Sequence, residues 1–157
     1  MNKNNLNDWS ISEEMFKWIR NNIKEGSTII EFGSGLGTIE LTKHYTVYSV
    51  EQDERWIGKA PDSNYIHAPI SNGWYDPHAV FNNLPTDYQL IIVDGPAGSR
   101  NRTGIRNYWD KFNLNAPIIM DDTHRNAELN FATETAILLN KQITIIPGHQ
   151  KSFALIK

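Results

Sequence analysis

Apolar residues along the chain follow two different periods. In the segment "SISEEMFKWIRNNIKEG", Ile11, Met15, Ile19 and Ile23 recur every four positions, the spacing of a single helical face. Ser10 and Glu13 stand at capping-box separation and Gly26 offers a stop, so the pattern predicts a helix over about 10–25. From residue 28 the pattern changes to short, almost wholly apolar runs at 28–32, 46–50, 65–67, 90–93 and 117–120. Runs of this length without alternation read as strands buried on both faces. The stretches between them are long enough for helices or crossovers, which predicts a mostly parallel α/β sheet. A later helix is expected over 126–140, with Leu129, Ala132, Ala136 and Leu139 facing inward. The tail "ITIIPGHQKSFALI" reads as two strands joined around Pro147-Gly148, a closing antiparallel hairpin. Segment 73–85 reads as a loop-rich crossover.

Length and composition narrow this picture. A chain of 157 residues with no repeat or linker fits a single domain, 1–157, large enough to bury a sheet between helices. A formal charge of -3 gives no general reason to expect nucleic acid or an anionic membrane surface, so a small-molecule partner is expected, with the oligomeric state open. No apolar run approaches a membrane span and "MNKNNLNDWS" lacks the apolar core of a signal peptide, so a cytoplasmic location is expected. The absence of cysteine removes disulfides, thiol nucleophiles and Cys-ligated metals. The chemistry therefore falls to Asp, Glu, His, Arg or a cofactor.

Residues 28–38, "TIIEFGSGLGT", concentrate the candidate chemistry. After a buried strand, Gly33, Gly35 and Gly37 allow a sharp turn into a helix and let a ligand approach main-chain N–H groups. A dinucleotide fingerprint would space its glycines as G-x-G-x-x-G; here they stand two apart, with Glu31 at the strand end. An acid followed by G-x-G-x-G resembles the first motif of class I S-adenosylmethionine (SAM) methyltransferases. That resemblance implies a Rossmann-like, three-layer fold with a mostly parallel seven-stranded sheet. It also implies SAM as cofactor, with Glu31, Gly33, Ser34, Gly35, Gly37 and Thr38 on its methionine part. In "TVYSVEQDE", Glu51 follows Glu31 by 20 residues and matches the family's ribose-binding acid, with Gln52 beside it. "YIHAPI" places His67 and Ala68 on the adenine side, and "LIIVDGP" places Asp94 beside the transferable methyl. The alternative is that a glycine-rich turn and an acid after a strand are ordinary loop chemistry.

"DGPAGSRNRTGI" followed by "APIIMDDTHRNAELNFATE" further resembles polysaccharide-biosynthesis methyltransferases of the glucuronoxylan type. This implies O-methylation of a small or saccharide acceptor, with Asp94 as a candidate catalytic group; His124, expected at the neighbouring strand end, reads either as a catalytic base or as a surface residue at a helix terminus. Arg100, Arg102, Arg106, Asp122 and Arg125 are the candidate acceptor-binding residues, because guanidinium groups read carboxylates and phosphates bidentately. The other account of these arginines is a solvated loop paired with surface acids. Asp94, Asp121 and Asp122 also resemble the metal-binding arrangement of catechol-type O-methyltransferases, which implies a possible divalent cation on oxygen ligands. Asp121-Asp122 could equally cap the following helix or accept from Arg125. Of Trp9, Trp56, Trp74 and Trp109, about one is expected to line the pocket. Methylation of protein or RNA, or a SAM-binding module without turnover, are the other functional readings.

Overall fold

A computed structural model describes residues 11–97 and 102–157 of the chain. Ser10, Trp9 and Arg100 lie outside the described residues. Helix α1 (Glu13–Asn22) is capped by Ser12, whose hydroxyl accepts from the Met15 N–H at 3.1 Å. The cap therefore falls two residues after Ser10, which is consistent with Glu13 and Glu14 lying in the first turn near the positive end of the helix dipole. Strand β1 (Thr28–Phe32) leads into α2 (Leu36–Thr42), β2 (Thr46–Glu51) and β3 (Asn64–His67). A two-residue hairpin, β4 (Ile70–Ser71) and β5 (Trp74–Tyr75), precedes α3 (Pro77–Phe81) and β6 (Leu90–Val93). A 3₁₀ helix spans Thr103–Lys111, followed by β7 (Ile118–Met120), α4 (Asn126–Leu138), β8 (Ile143–Pro147) and β9 (Ser152–Ile156).

Seven strands form one sheet in the order β3-β2-β1-β6-β7-β9-β8, in which β9 runs antiparallel to both β7 and β8 and the other pairs are parallel. The strand pleat sends successive residues to opposite faces. Ile30, Phe32, Ile91 and Val93 face one core and Ile29, Leu90 and Ile92 the other. On the second side α1 and the residues flanking it lay Ile11, Met15, Ile19 and Ile23 against the sheet, all buried as the four-residue spacing predicts. The first side is covered by α3, the 3₁₀ helix and α4 through Val80, Ile105, Trp109, Phe131, Ala132 and Ala136. The result is a three-layer α/β/α arrangement.

Two expectations change here. Segment 73–85 is more than a crossover, since it holds β5 and α3, the latter capped by Asp76 and begun by Pro77. The inward face of α4 is Glu128, Phe131, Ala132, Thr135 and Ala136, while Leu129 and Leu139 are only half-buried. Among the described residues no helix is long and apolar enough to cross a membrane.

Candidate functional site

The chain leaves β1, passes through β2 and β3 on one side, then returns to β6 on the other, so β1 and β6 flank the point where strand order reverses. In such sheets the crevice beyond the strand ends at this point is the natural ligand site. Gly33 turns away from β1 with φ +87, a conformation that favours glycine. A Cβ there would stand 2.9 Å from the Gly95 nitrogen, so the loops after β1 and β6 touch backbone to backbone. Glu51, at the end of β2, fixes the turn: its Oε2 accepts from the Ser34 N–H (3.0 Å) and hydroxyl (3.3 Å), and its Oε1 from the Asp53 N–H (2.9 Å).

Beneath this turn the other motif residues are tied to one another by hydrogen bonds. Thr38 Oγ1 accepts from the Gly35 N–H and donates to Glu31 Oε2 at 2.8 Å, an oxygen that also accepts from Ser49 Oγ at 2.8 Å. Glu31 is buried, and burial pushes its carboxyl up to about 7, against the two hydroxyl hydrogen bonds and with help from the Glu51 charge. Gly37 packs against the segment that leads into α1, where a Cβ would lie 2.7 Å from Ile11 Cγ1.

Opposite the turn, an acidic group meets three cations. One oxygen each from Asp94, Asp121 and Asp122 lies within 4.8 Å of the others. Arg102, 6% exposed, donates to the Asp94 carbonyl at 2.8 Å and stands 3.5 Å from the Asp94 carboxylate and 3.4 Å from that of Asp122. Lys151 Nζ donates to Asp121 Oδ2 at 2.7 Å and lies 3.9 Å from Asp122 Oδ1. Arg125, largely exposed, reaches Asp122 at 3.4 Å. Burial, then the Asp121 and Asp122 charges, hold the Asp94 carboxyl well above the ordinary carboxylate range despite Arg102 and Lys151. Burial and Asp122 likewise raise Asp121 against the pull of Lys151. Desolvation works against the Lys151 ammonium, but the three carboxylates together keep it above the usual lysine value.

These parts enclose a cleft of about 410 Å³, lined by Gly33, Ser34, Glu51, Gln52, Trp56, Asp94, Gly95, Ala97, Arg102, Asp122, Arg125 and Lys151. Nine of the residues singled out in the sequence, Gly33, Ser34, Glu51, Gln52, Trp56, Asp94, Arg102, Asp122 and Arg125, meet there. Glu31, Thr38 and Ala68 are buried away from the lining, and His67 is exposed at the end of β3. Arg106 turns outward to pair with Glu134 and lies over the Phe131 ring, and His124 is exposed outside the lining. Among the described residues, the cations expected at the acceptor that do line the cleft are Arg102 and Arg125. Of the tryptophans, Trp56 lines the cleft while Trp74 and Trp109 belong to the core. Lys151 went unnoticed in the sequence, where it reads as a solvated turn residue. Its signal lies in the register: continuing the Met120↔Ala154 pairing past the strand end brings the start of β9 beside Asp122 and Thr123, and the Thr123 N–H does donate to the Ser152 carbonyl at 2.9 Å.

A divalent cation fits this donor set poorly. Two of the three carboxylate pairs are already bridged by a side-chain cation, Asp121 with Asp122 by Lys151 and Asp94 with Asp122 by Arg102. Asp121 Oδ1 is occupied as well, accepting from the Asp122 N–H at 2.8 Å.

No family model matches the chain, and no curated protein matches it by sequence. Solved structures match it by shape. A protein described as a caffeoyl-CoA O-methyltransferase from Staphylococcus aureus superposes with a TM-score of 0.63 at 14% identity, over 92% of this chain and 81% of its own. An rRNA methylase from Streptococcus thermophilus gives 0.60 at 14% identity, over 91% of this chain and 92% of its own. Magnesium protoporphyrin IX methyltransferase from Synechocystis PCC 6803, solved with SAM bound, gives 0.53 at 11% identity, over 92% of this chain and 75% of its own. At these identities the likeness is one of architecture: the chain has the Rossmann-like fold of SAM-dependent methyltransferases.

Proposed function

We propose that this protein is a SAM-dependent methyltransferase acting on a hydroxyl of a small or saccharide acceptor that carries an anionic group. The observation that carries the reading is that the Gly33-Ser34 turn, Glu51, Asp94 and Arg125 line one cleft at the strand-order reversal. The cleft volume falls in the ~300–1,000 Å³ range of small-molecule sites. Among the described residues, two buried polar atoms of cleft-lining side chains have no hydrogen bond, Gln52 Oε1 and Arg102 Nε, and the first is an acceptor suited to a ligand N–H or O–H. SAM, when bound, supplies a methyl group already activated on a sulfonium.

The residues then divide the remaining work. Gly33 and Ser34 offer a close backbone approach, and Glu51 and Gln52 offer acceptors for hydroxyl and amine groups of the cofactor. Asp94 receives the proton of the acceptor hydroxyl; a carboxylate whose pKa burial has raised is a stronger base than an ordinary one. The same group orients the hydroxyl before transfer. Arg102 is buried among the acids and Arg106 turns outward to Glu134, so among the described residues recognition of an anionic group falls to Arg125, which also meets Asp122 but lines the cleft with its side chain largely exposed, with Trp56 as an apolar wall.

Calorimetry with SAM tests the cofactor. Wild type should bind, and Glu51→Ala should bind more weakly by about 1.5–3 kcal/mol, the worth of hydrogen bonds to a charged group. An absence of SAM binding by the folded wild type sinks the reading. Release of S-adenosylhomocysteine with a uronate and with its neutral parent sugar tests the acceptor: the acid should be preferred by wild type, and Arg125→Ala should raise KM for the acid alone. Turnover on RNA or protein instead would favour those substrates, and tight SAM binding with no turnover would favour a binding module.

A further inference from the structure

The acidic group of the cleft needs a counter-cation, and the chain furnishes one from the connection between β8 and β9. Three carboxylate oxygens within 4.8 Å of one another are the layout that an all-oxygen site offers to a hard divalent ion. Asp121 is fully buried, and a buried carboxylate without a partner is strongly destabilising. Lys151, whose side chain is 14% exposed, meets it at 2.7 Å and reaches towards Asp122 at 3.9 Å.

We propose that Lys151 is the resident cation of this cleft: its ammonium holds the place a divalent ion would require, so the site is metal-free by construction and meets its ligands with an N–H donor. An ammonium has three donors. Asp121 takes one, and Asp122 at 3.9 Å lies beyond hydrogen-bond distance, which among the described residues leaves donors for an oxygen of a molecule in the cleft that Lys151 lines. A divalent ion would bind oxygens of many geometries; a lysine head anchored on Asp121 selects a ligand with an acceptor oxygen at one place. The inference concerns the protein alone and stands apart from methyl transfer.

Titration with Mn²⁺ in the absence of any other ligand tests it, read by calorimetry and by thermal denaturation, on wild type, Lys151→Arg and Lys151→Met. Wild type and Lys151→Arg should show no saturable binding and no shift in Tm. Lys151→Met keeps an unbranched apolar stem and loses the charge; it should bind Mn²⁺ at least tenfold more tightly than wild type, melt higher in its presence, and lose that gain when Asp121→Asn is added. Saturable Mn²⁺ binding by wild type as tight as by Lys151→Met overturns the proposal. So does the absence of any gain in a Lys151→Met variant shown by circular dichroism to be folded. Should that variant fail to fold, Lys151→Gln carries the same expectation and the same refutation.

Discussion

Glu31 holds its proton to higher pH in the folded chain than in the unfolded one, because burial raises its pKa from 4.5 to about 7. Below pH 4.5 both states are protonated and the group adds no pH dependence. Between 4.5 and about 7 the unfolded chain ionises first, so each pH unit lowers stability by up to about 1.4 kcal/mol, and above 7 the accumulated loss of about 3 kcal/mol stays constant. Glu31→Gln keeps an oxygen for Thr38 and Ser49 and removes the titration. Urea midpoints at several pH values should show the variant gaining on wild type from pH 4.5 to 7 and no further beyond. A difference independent of pH would show that Glu31 titrates as an exposed glutamate does. The sequence pointed to this acid, for its place before the glycines, as a contact for the methionine part of SAM. It could not tell that the carboxylate faces down onto hydroxyls of α2 and β2, because that depends on which way β1 pleats relative to β2.

At the level of elements, the loops after β1 and β6 form one tightly packed unit. A Cβ on Gly95 would run into the Tyr75 hydroxyl and stand 2.8 Å from Gly33 Cα, and neither a buried ring nor main chain can move aside cheaply. Gly95→Ala is expected to lower stability by about 1–3 kcal/mol, the range for an overpacked interior, and to weaken whatever binds beside Asp94. An unchanged urea midpoint would show that the two loops yield independently. The strands were legible because parallel strands buried on both faces are apolar throughout: 28–32 and 90–93 appear with the bounds that the pattern predicts, and β2, β3 and β7 differ by one residue. Helix α4 was legible in position and not in orientation. It carries apolar side chains around its circumference, leaving Ile137 77% and Leu138 59% exposed while Thr135 is buried, so periodicity could not choose the face. The β4–β5 hairpin has two residues per strand, too few to show any period.

Across the whole molecule the cleft draws on loops from both halves of the sheet, so a ligand there ties the halves together. A molecule bound only to the folded chain at 100 times its dissociation constant adds about 2.7 kcal/mol, roughly 5–10 °C of Tm for a chain of this size. SAM and S-adenosylhomocysteine should both give such a shift in a thermal melt, and the neutral analogue adenosine a smaller one at the same concentration; no shift with SAM would remove the cofactor from the cleft. The motif residues of the first half were legible because they are close in sequence. Lys151 was not, because its neighbours Asp121 and Asp122 are 30 and 29 positions away and meet it only through the antiparallel insertion of β9. That insertion also governs how the chain is made. Residues 152–156 lie inside the sheet, paired on both sides, although they leave the ribosome after every other strand. Until they emerge, β7 presents an open apolar edge, β8 has no strand to pair with, and Asp121 has no ammonium beside it. The nascent chain thus carries an aggregation-prone edge at β7 until β9 inserts between β7 and β8.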